Sequence, residues 1–84
     1  MKFDFYTDPG HGWVKVKKTL LVKLGIDRKI TAYSYQRGEH AYLEEDCDAS
    51  LLIETLKAKG FSYSFRSHNA NKSSKIRSYA PYCA

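Results

Sequence analysis

The stretch Asp-Pro-Gly-His-Gly-Trp, at positions 8–13, places an acid, a histidine and a tryptophan within six residues. The proline fixes its own φ angle and the two glycines permit positive φ, so the stretch is typical of a turn between two strands. A catalytic or metal-binding histidine needs partners that orient it. His11 has no neighbour at a zinc-ligand spacing such as Cys-x-x-Cys or His-x-x-x-His. The sequence predicts a turn in which only His11 and Trp13 are partner-binding candidates.

The densest acidic run follows at positions 44–48, with the sequence Glu-Glu-Asp-Cys-Asp. Carboxylates at this density can hold Mg²⁺ or Ca²⁺, but the run lacks the EF-hand spacing. Helix capping by Asp46 or Asp48, with a solvated loop beside it, explains the run without a metal ion. A third interpretation is a contact surface for a basic protein. The acidic candidates for partner binding are Glu44, Glu45, Asp46 and Asp48.

Nucleophilic catalysis by Cys47 would require a nearby base, and no local Cys–His pattern accompanies this residue. Together with the missing zinc spacing, this leaves no combination of residues that supports an enzyme. We therefore predict no catalytic residue, no metal ion and no cofactor.

Basic residues alternate with aromatic residues in the C-terminal half. Cations bind phosphates and rings stack on bases, which is what single-stranded nucleic acid requires. Tyr63 and Phe65 are equally what a sheet needs to cover its helices, and no RRM, KH or OB-fold signature is present. The candidates for binding nucleic acid or an acidic partner are Lys15, Lys17, Lys18, Arg66, Lys72, Lys75 and Arg77.

Charge is segregated along the chain. The 84 residues carry a formal net charge of +5, with 43% hydrophobic and 27% charged residues, a composition typical of one small folded domain. Residues 15–29 carry six basic side chains and one acid, residues 39–56 carry six acids and no lysine or arginine, and residues 57–84 carry six basic side chains and no acid. Such a molecule is suited to a polyanion or an acidic protein as partner.

The sequence favours a cytoplasmic protein without a membrane partner. No run of about 18 apolar residues indicates a membrane span. Lys2 and Asp4 interrupt the N-terminus, which has no apolar region of a signal peptide. In such a compartment Cys47 and Cys83 are not expected to form a disulfide.

Residue periodicity predicts a single α+β domain over residues 1–84. Alternation of side chains indicates strands, and leucines at helical spacing before a glycine indicate two helices. The predicted strands are 2–7, 13–16, 30–36, 40–44, 61–66 and 75–79, and the predicted helices are 17–24 and 46–59. The order β-β-α-β-β-α-β-β predicts two helices on one face of a mainly antiparallel sheet. Ala41 and Leu43 are expected to face the core, and Tyr42 to face outward or to pack at an edge.

Four motifs give the chain a family resemblance. They are Asp-Pro-Gly-His-Gly-Trp at 8–13, Tyr-Ser-Tyr at 33–35, Tyr-Leu-Glu-Glu-Asp-Cys-Asp at 42–48 and Arg-Ser-Tyr at 77–79. Over nearly its whole length the chain resembles a family of small uncharacterised proteins carried by bacteriophages and bacterial mobile elements. The resemblance implies a phage or prophage accessory protein and assigns no activity to any residue.

The expected function is non-enzymatic binding. In a phage context, a small charged and tyrosine-rich protein is suited to blocking a host protein or nucleoprotein complex, as an anti-CRISPR protein does. The alternative is a small basic DNA- or RNA-binding regulator. The sequence leaves open whether the basic residues meet nucleic acid or an acidic protein, and it leaves the oligomeric state open.

Overall fold

The chain begins with a β-hairpin. In the computed structural model, which describes residues 1–84, β1 (Lys2–Thr7) pairs antiparallel with β2 (Gly12–Lys17). The turn between them is closed by the Asp8 carboxylate, which accepts hydrogen bonds from the backbone N–H groups of Gly10 and His11 at 3.0 Å each. The predicted hairpin and its turn are confirmed.

Six strands form one mixed sheet in the order β5-β1-β2-β4-β3-β6. A second hairpin of β3 (Tyr35–Arg37) and β4 (His40–Glu44) joins the first through antiparallel pairing of β4 with β2. β6 (Ala80–Pro81) pairs antiparallel with β3, whereas β5 (Ser64–Asn69) pairs parallel with β1. The predicted architecture is confirmed as a small α+β domain with two helices, and the parallel β5 makes the sheet mixed.

Two α-helices end where glycines allow the chain to reverse. α1 (Lys18–Lys23) is followed by Gly25 at φ 74°, and α2 (Asp48–Ala58) is followed by Gly60 at φ 77°. Side chains with a Cβ rarely adopt this left-handed conformation, so both glycines act as helix stops. No helix in the structure has the length and apolar character needed to cross a membrane.

The main core lies between the helices and one face of the sheet. The helices contribute leucines at helical spacing, and the strands contribute every second residue, as the alternation predicted. The central members are Phe3, Val14, Val16, Ala41 and Leu43 from the sheet, and Leu21, Leu52 and Leu56 from the helices. Ala41 and Leu43 are completely buried, which confirms their predicted orientation.

A second, smaller cluster lies on the opposite face of the sheet. It consists of Trp13, Tyr42 and Ile76, with Tyr6, Tyr35 and Tyr79 packed around it. Ile76 belongs to a 3₁₀ helix (Lys75–Ser78), so the C-terminal segment crosses over this face. Tyr42 points away from Ala41 and Leu43, as predicted, but this segment buries it instead of leaving it exposed or at an edge.

The predicted strand over residues 30–36 is wrong for most of its length. A 3₁₀ helix (Asp27–Lys29) and a turn at residues 31–34 precede β3, which includes only the last two residues of the predicted strand. The cause is the buried carboxylate of Asp48, whose Oδ2 accepts hydrogen bonds from the backbone and the hydroxyl of Thr31 and from the hydroxyl of Ser34. Side-chain bonds of this kind compete with the pairing of a strand.

The two C-terminal strands also differ from the prediction. The strand predicted at 61–66 begins at Ser64 and runs to Asn69, because residues 61–63 complete the return from α2 to the edge of the sheet. The strand predicted at 75–79 is instead the 3₁₀ helix (Lys75–Ser78). Ser74 starts that helix, and its hydroxyl accepts a hydrogen bond from the N–H of Ile76.

Candidate functional site

The sheet face opposite the helices is only partly covered, and strand register decides which side chains it carries. Asp4 lies opposite Lys15 and Arg66, Lys17 opposite His40, and Arg37 opposite His40. Directly paired residues in a sheet point to the same face. The open face therefore collects basic residues from strands that are far apart in sequence.

We call this surface the basic face. It is formed by Lys2, Lys15, Lys17, Arg37, His40, Arg66 and His68 from the strands, and by Lys75 from the C-terminal 3₁₀ helix. Two clefts of about 550 Å³ and 480 Å³ border it, and Lys15 and His40 line both of them. The two clefts therefore meet at these two residues.

Most cations of the basic face have no acidic partner. The ion pairs of the protein are His11–Glu44, Arg66–Asp4, His68–Asp4 and Arg77–Asp8. Lys2, Lys15, Lys17, Arg37 and Lys75 are in none of them. Because their charges are not neutralised internally, they are available to an anionic partner.

Two acidic residues border this face: Glu39, in the turn before His40, and Asp4, whose charge is largely offset. The N–H of His68 Nε2 donates a hydrogen bond to Asp4 Oδ1 at 2.9 Å, and Arg66 lies 3.8 Å from the same oxygen. The hydrogen bond from His68, together with the charge of Arg66, lowers the pKa of Asp4. His68 also stacks on Tyr6, with ring centroids 4.7 Å apart.

Aromatic rings lie among the cations. Tyr6 and Tyr79 are half-buried at the edge of the cluster formed around Trp13. The Arg37 guanidinium lies 5.1 Å from the centroid of the Tyr79 ring and donates to its hydroxyl at 3.2 Å. Burial lowers the pKa of His40, and Lys15 acts in the same direction. His40 therefore contributes a neutral ring between two lysines at neutral pH.

Arg77 is not part of the available charge, although the sequence pattern included it. Its Nε donates to Asp8 Oδ2 at 2.6 Å and its Nη2 donates to Asp8 Oδ1 at 2.8 Å. The Asp8 side chain is fully buried and accepts a fifth hydrogen bond from the N–H of Ser74. The bonds from Arg77 and from these N–H groups hold the pKa of Asp8 far below its usual range. The planar guanidinium of Arg77 is thus engaged inside the protein, and partner binding by Arg77 stays a prediction.

Two other predicted basic residues lie away from the centre of the face. Lys18 is half-buried as the first residue of α1, and its backbone N–H donates to the carbonyl of Glu39. Lys72 is exposed in the loop between β5 and the C-terminal 3₁₀ helix. The structure brings together Lys15, Lys17, Arg66 and Lys75. Sequence reasoning missed Lys2, Arg37, His40 and His68, which only the strand register reveals.

The acidic candidates lie at the other end of the sheet, around a second site that we call the corner pocket. It has a volume of about 430 Å³ and is lined by His11, Trp13, Tyr33, Tyr35, Glu44, Asp46, Cys47 and Arg77. His11 Nδ1 is 3.4 Å from Glu44 Oε1, so the turn after β1 meets the end of β4. Glu45 is exposed and lines a separate, smaller cleft with Phe5 and Val14.

Trp13 and Asp48, two of the residues predicted to bind a partner, are buried in this structure. Trp13 is 1% exposed, between the Arg77 guanidinium and the tyrosines of the second cluster. Asp48 is 2% exposed and holds the turn at residues 31–34. The α2 N-cap is Cys47, whose side chain makes no capping bond, so neither Asp46 nor Asp48 serves as the predicted cap.

The indole N–H of Trp13 is the only buried polar side-chain group without a hydrogen-bond partner. A buried donor left unpaired costs about 1–3 kcal/mol. Trp13 forms part of the wall of the corner pocket.

The two cysteines do not form a disulfide with each other. Cys47 and Cys83 are both exposed and free, and Cys47 lies at the rim of the corner pocket.

In comparisons with known proteins, no protein-family model, no curated protein and no solved structure matches this chain.

Proposed function

We propose that the protein is a non-catalytic binding protein that holds a single strand of nucleic acid on the basic face. The observation that carries the proposal is the group of five cations without ion-pair partners, gathered from three strands and the C-terminal 3₁₀ helix on one side of the sheet. Phosphate contacts by such cations supply most of the affinity of sequence-independent nucleic-acid binding.

A single strand suits this surface better than a duplex. The face is a sheet with half-buried rings, and bases of a single strand can stack on rings while the phosphates meet the surrounding cations. Tyr6, His68 and Tyr79 are the rings that lie beside the cations. The helical element on this face is the four-residue 3₁₀ helix (Lys75–Ser78), which is too short to read a groove of a duplex as a recognition helix does.

The distribution of acids supports the same orientation. Glu44, Glu45 and Asp46 lie at the opposite end of the sheet from Lys17 and Arg37. The field of such a molecule guides a polyanion toward the basic end and away from the acidic end. This dipole is a property of the fold, since the cations come from separate parts of the chain.

A second candidate function rests on the corner pocket. Tyr33 is 75% exposed there, and the acidic side chains of Glu44 and Asp46 line the same pocket. An exposed tyrosine surrounded by charge is a favoured anchor in protein interfaces. This arrangement suits contact with a basic host protein, as expected for a phage-type inhibitor of a defence complex such as an anti-CRISPR protein. Under either function the protein works by binding, in the host cytoplasm.

The test of nucleic-acid binding is fluorescence anisotropy with a labelled single-stranded oligonucleotide, titrated at several salt concentrations. We expect the logarithm of the affinity to fall with the logarithm of salt concentration by about 0.7 per phosphate contacted. Reversal of two charges in Lys15→Glu/Lys17→Glu is expected to weaken binding by more than about tenfold. Salt-independent binding, or a double variant with wild-type affinity, would reject the proposal.

A matched control reverses two charges on the other side of the molecule. Lys57 and Lys59 are exposed at the end of α2, which packs on the opposite sheet face. The variant Lys57→Glu/Lys59→Glu has the same net charge as the test variant, and we expect its affinity to stay within about threefold of wild type. Equal losses in both variants would show that net charge, rather than the basic face, controls binding.

The second candidate is tested by pulldown from nuclease-treated host lysate with wild type and with Glu45→Lys/Asp46→Lys. A defined protein that is retained by wild type and lost with this variant supports contact through the corner. A protein retained equally by both contradicts it.

A further inference from the structure

The corner pocket brings together three side chains that the sequence does not place at a metal-ligand spacing. His11 comes from the turn after β1, Glu44 is the last residue of β4, and Asp46 lies in the turn before α2. One potential ligand atom from each residue lies within 4.8 Å of the others. Strand pairing causes this meeting, because Glu44 lies directly opposite Trp13, two residues after His11.

The separation of the first two ligand atoms fits a shared metal ion. His11 Nδ1 and Glu44 Oε1 are 3.4 Å apart, which is long for a hydrogen bond. Zn–N and Zn–O bonds of about 2.1 Å at a tetrahedral angle place the nitrogen and the oxygen about 3.4 Å apart. The other histidine–carboxylate pair, His68–Asp4, is at 2.9 Å, the ordinary hydrogen-bond distance.

The protein backbone already orients these side chains. The N–H of Asp46 donates to Glu44 Oε2 at 3.0 Å, which leaves Oε1 directed toward His11. The N–H of His11 is held by Asp8 Oδ1, and the N–H of Glu45 donates to the carbonyl of Gly12 at 2.9 Å. Outer contacts that fix the ligands in this way are a feature of protein metal sites.

One residue of the pocket wall carries an unpaired buried donor. The Nε1–H of Trp13, a residue 1% exposed, has no acceptor in the protein, and Trp13 lines the same pocket as the three ligand residues. Buried donors nearly always have a partner. A group bound in this pocket, such as a water molecule on a metal ion, would lie next to the wall that contains this unpaired donor.

We propose that His11, Glu44 and Asp46 bind a divalent transition-metal ion of the zinc class, with one ligand position open to the pocket. One imidazole nitrogen and two carboxylates favour Zn²⁺, Co²⁺ or Mn²⁺ over Ca²⁺, which takes oxygen ligands only. The ion links the turn after β1 to the β4–α2 junction. This site is separate from the basic face and does not depend on nucleic-acid binding.

The single tryptophan provides a direct readout. Trp13 is the only tryptophan in the chain, and it lines the pocket. We expect Co²⁺ to quench its emission in saturable fashion and Zn²⁺ to reverse the quenching by competition. Isothermal titration of metal-free protein with Zn²⁺ is expected to give one ion per chain, and Mg²⁺ at the same concentrations is expected to give no heat of binding.

Two variants test proposed ligands, and two others serve as controls. His11→Ala and Glu44→Gln are expected to lower the Zn²⁺ affinity by at least about tenfold. His68→Ala and Cys47→Ser are controls for a histidine elsewhere and for the thiol at the rim, and both are expected to bind like wild type. The thermal stability of metal-free His11→Ala is measured alongside, so that unfolding is not mistaken for loss of a ligand.

Several results would overturn the proposal. One is the absence of Zn²⁺ binding at millimolar concentration. Another is wild-type affinity in both His11→Ala and Glu44→Gln. Loss of binding in Cys47→Ser with His11→Ala unaffected would also reject it, because the ion would then be bound by the thiol.

Discussion

At the scale of single residues, Asp8 contributes more to this structure than any site residue that the sequence suggested. Its buried carboxylate accepts five N–H donors from three parts of the chain: Gly10 and His11 in the first turn, Ser74, and twice from Arg77. It thus closes the hairpin and fastens the C-terminal segment over the sheet. The sequence showed a turn acid but gave no sign of an arginine 69 positions later.

We expect Asp8→Asn to lower the melting temperature by about 10 °C at pH 7. The amide keeps the size of the side chain but removes the charge opposite Arg77 and replaces one acceptor by a donor. Asp4→Asn is the control, since Asp4 is a partly exposed acid with similar partners, and we expect a shift within about 3 °C. Thermal unfolding followed by circular dichroism gives both values.

Wild type and Asp8→Asn also test how the stability contributed by Asp8 depends on pH. The pKa of Asp8 is far below its unfolded value of about 3.9. The stabilisation of the folded state by the ionised Asp8 carboxylate is therefore complete above the unfolded pKa. It is lost as the pH falls through the folded pKa. The difference in melting temperature between wild type and Asp8→Asn should be constant from pH 7 to about pH 5 and should shrink steadily toward pH 2. A difference that grows in acid would contradict this assignment.

At the scale of elements, the C-terminal 3₁₀ helix (Lys75–Ser78) decides how much of the open sheet face remains available. Ile76 inserts against Trp13 and Tyr42, and the Tyr42 and Tyr79 rings are 5.1 Å apart. This packing covers the part of the face near the first turn. Lys15, Lys17 and His40, at the other end of the strands, remain beside open clefts.

Truncation of Ile76 to alanine is expected to destabilise the protein by about 3 kcal/mol, because it leaves a cavity above Trp13. Trp13 emission should shift to longer wavelength as water reaches the ring. Urea unfolding provides the free energy, and Val22→Ala, at a position 60% exposed on α1, is the control with an expected change within about 0.5 kcal/mol. A loss below about 1 kcal/mol for Ile76→Ala would show that the segment is only loosely attached.

Elements with strong local patterns were predicted well, and those fixed by distant contacts were not. β1, β4 and both helices follow residue periodicity and glycine stops, which act within a few positions. The turn at residues 31–34 depends on Asp48, and the course of residues 74–79 depends on Asp8, neither of which is a neighbour in sequence. The sequence identified Lys15 and Lys17 of the basic face because they lie close together on β2. It did not predict that strand pairing places Arg37 and His40 on the same face.

At the scale of the whole molecule, stability is unevenly distributed across the sheet. β2 and β4 lie in the middle and carry completely or nearly completely buried residues such as Val14 and Leu43. β5 lies at an edge of the sheet beside β1, and all six of its residues are exposed. Charged side chains on an exposed edge strand discourage pairing with another chain, and Arg66 has this position. The same strand supplies Arg66 and His68 to the basic face, so the least buried strand belongs to the proposed binding surface.

Native-state hydrogen exchange is expected to show this gradient. Amides of β5 should exchange faster than those of β1, β2 and β4, because opening an exposed edge strand uncovers little apolar surface. Amides of the central strands β2 and β4 should exchange slowest. A single strand of nucleic acid that contacts Arg66 binds only the closed form, so it should slow exchange in β5 while leaving the end of α2 unchanged. The Lys15→Glu/Lys17→Glu variant, which keeps β5 intact, should lose this added protection.

Equal protection of β5 and β2 in the free protein would show that the edge is as stable as the centre. Protection by nucleic acid at α2 instead of β5 would place the contact on the helical side of the sheet.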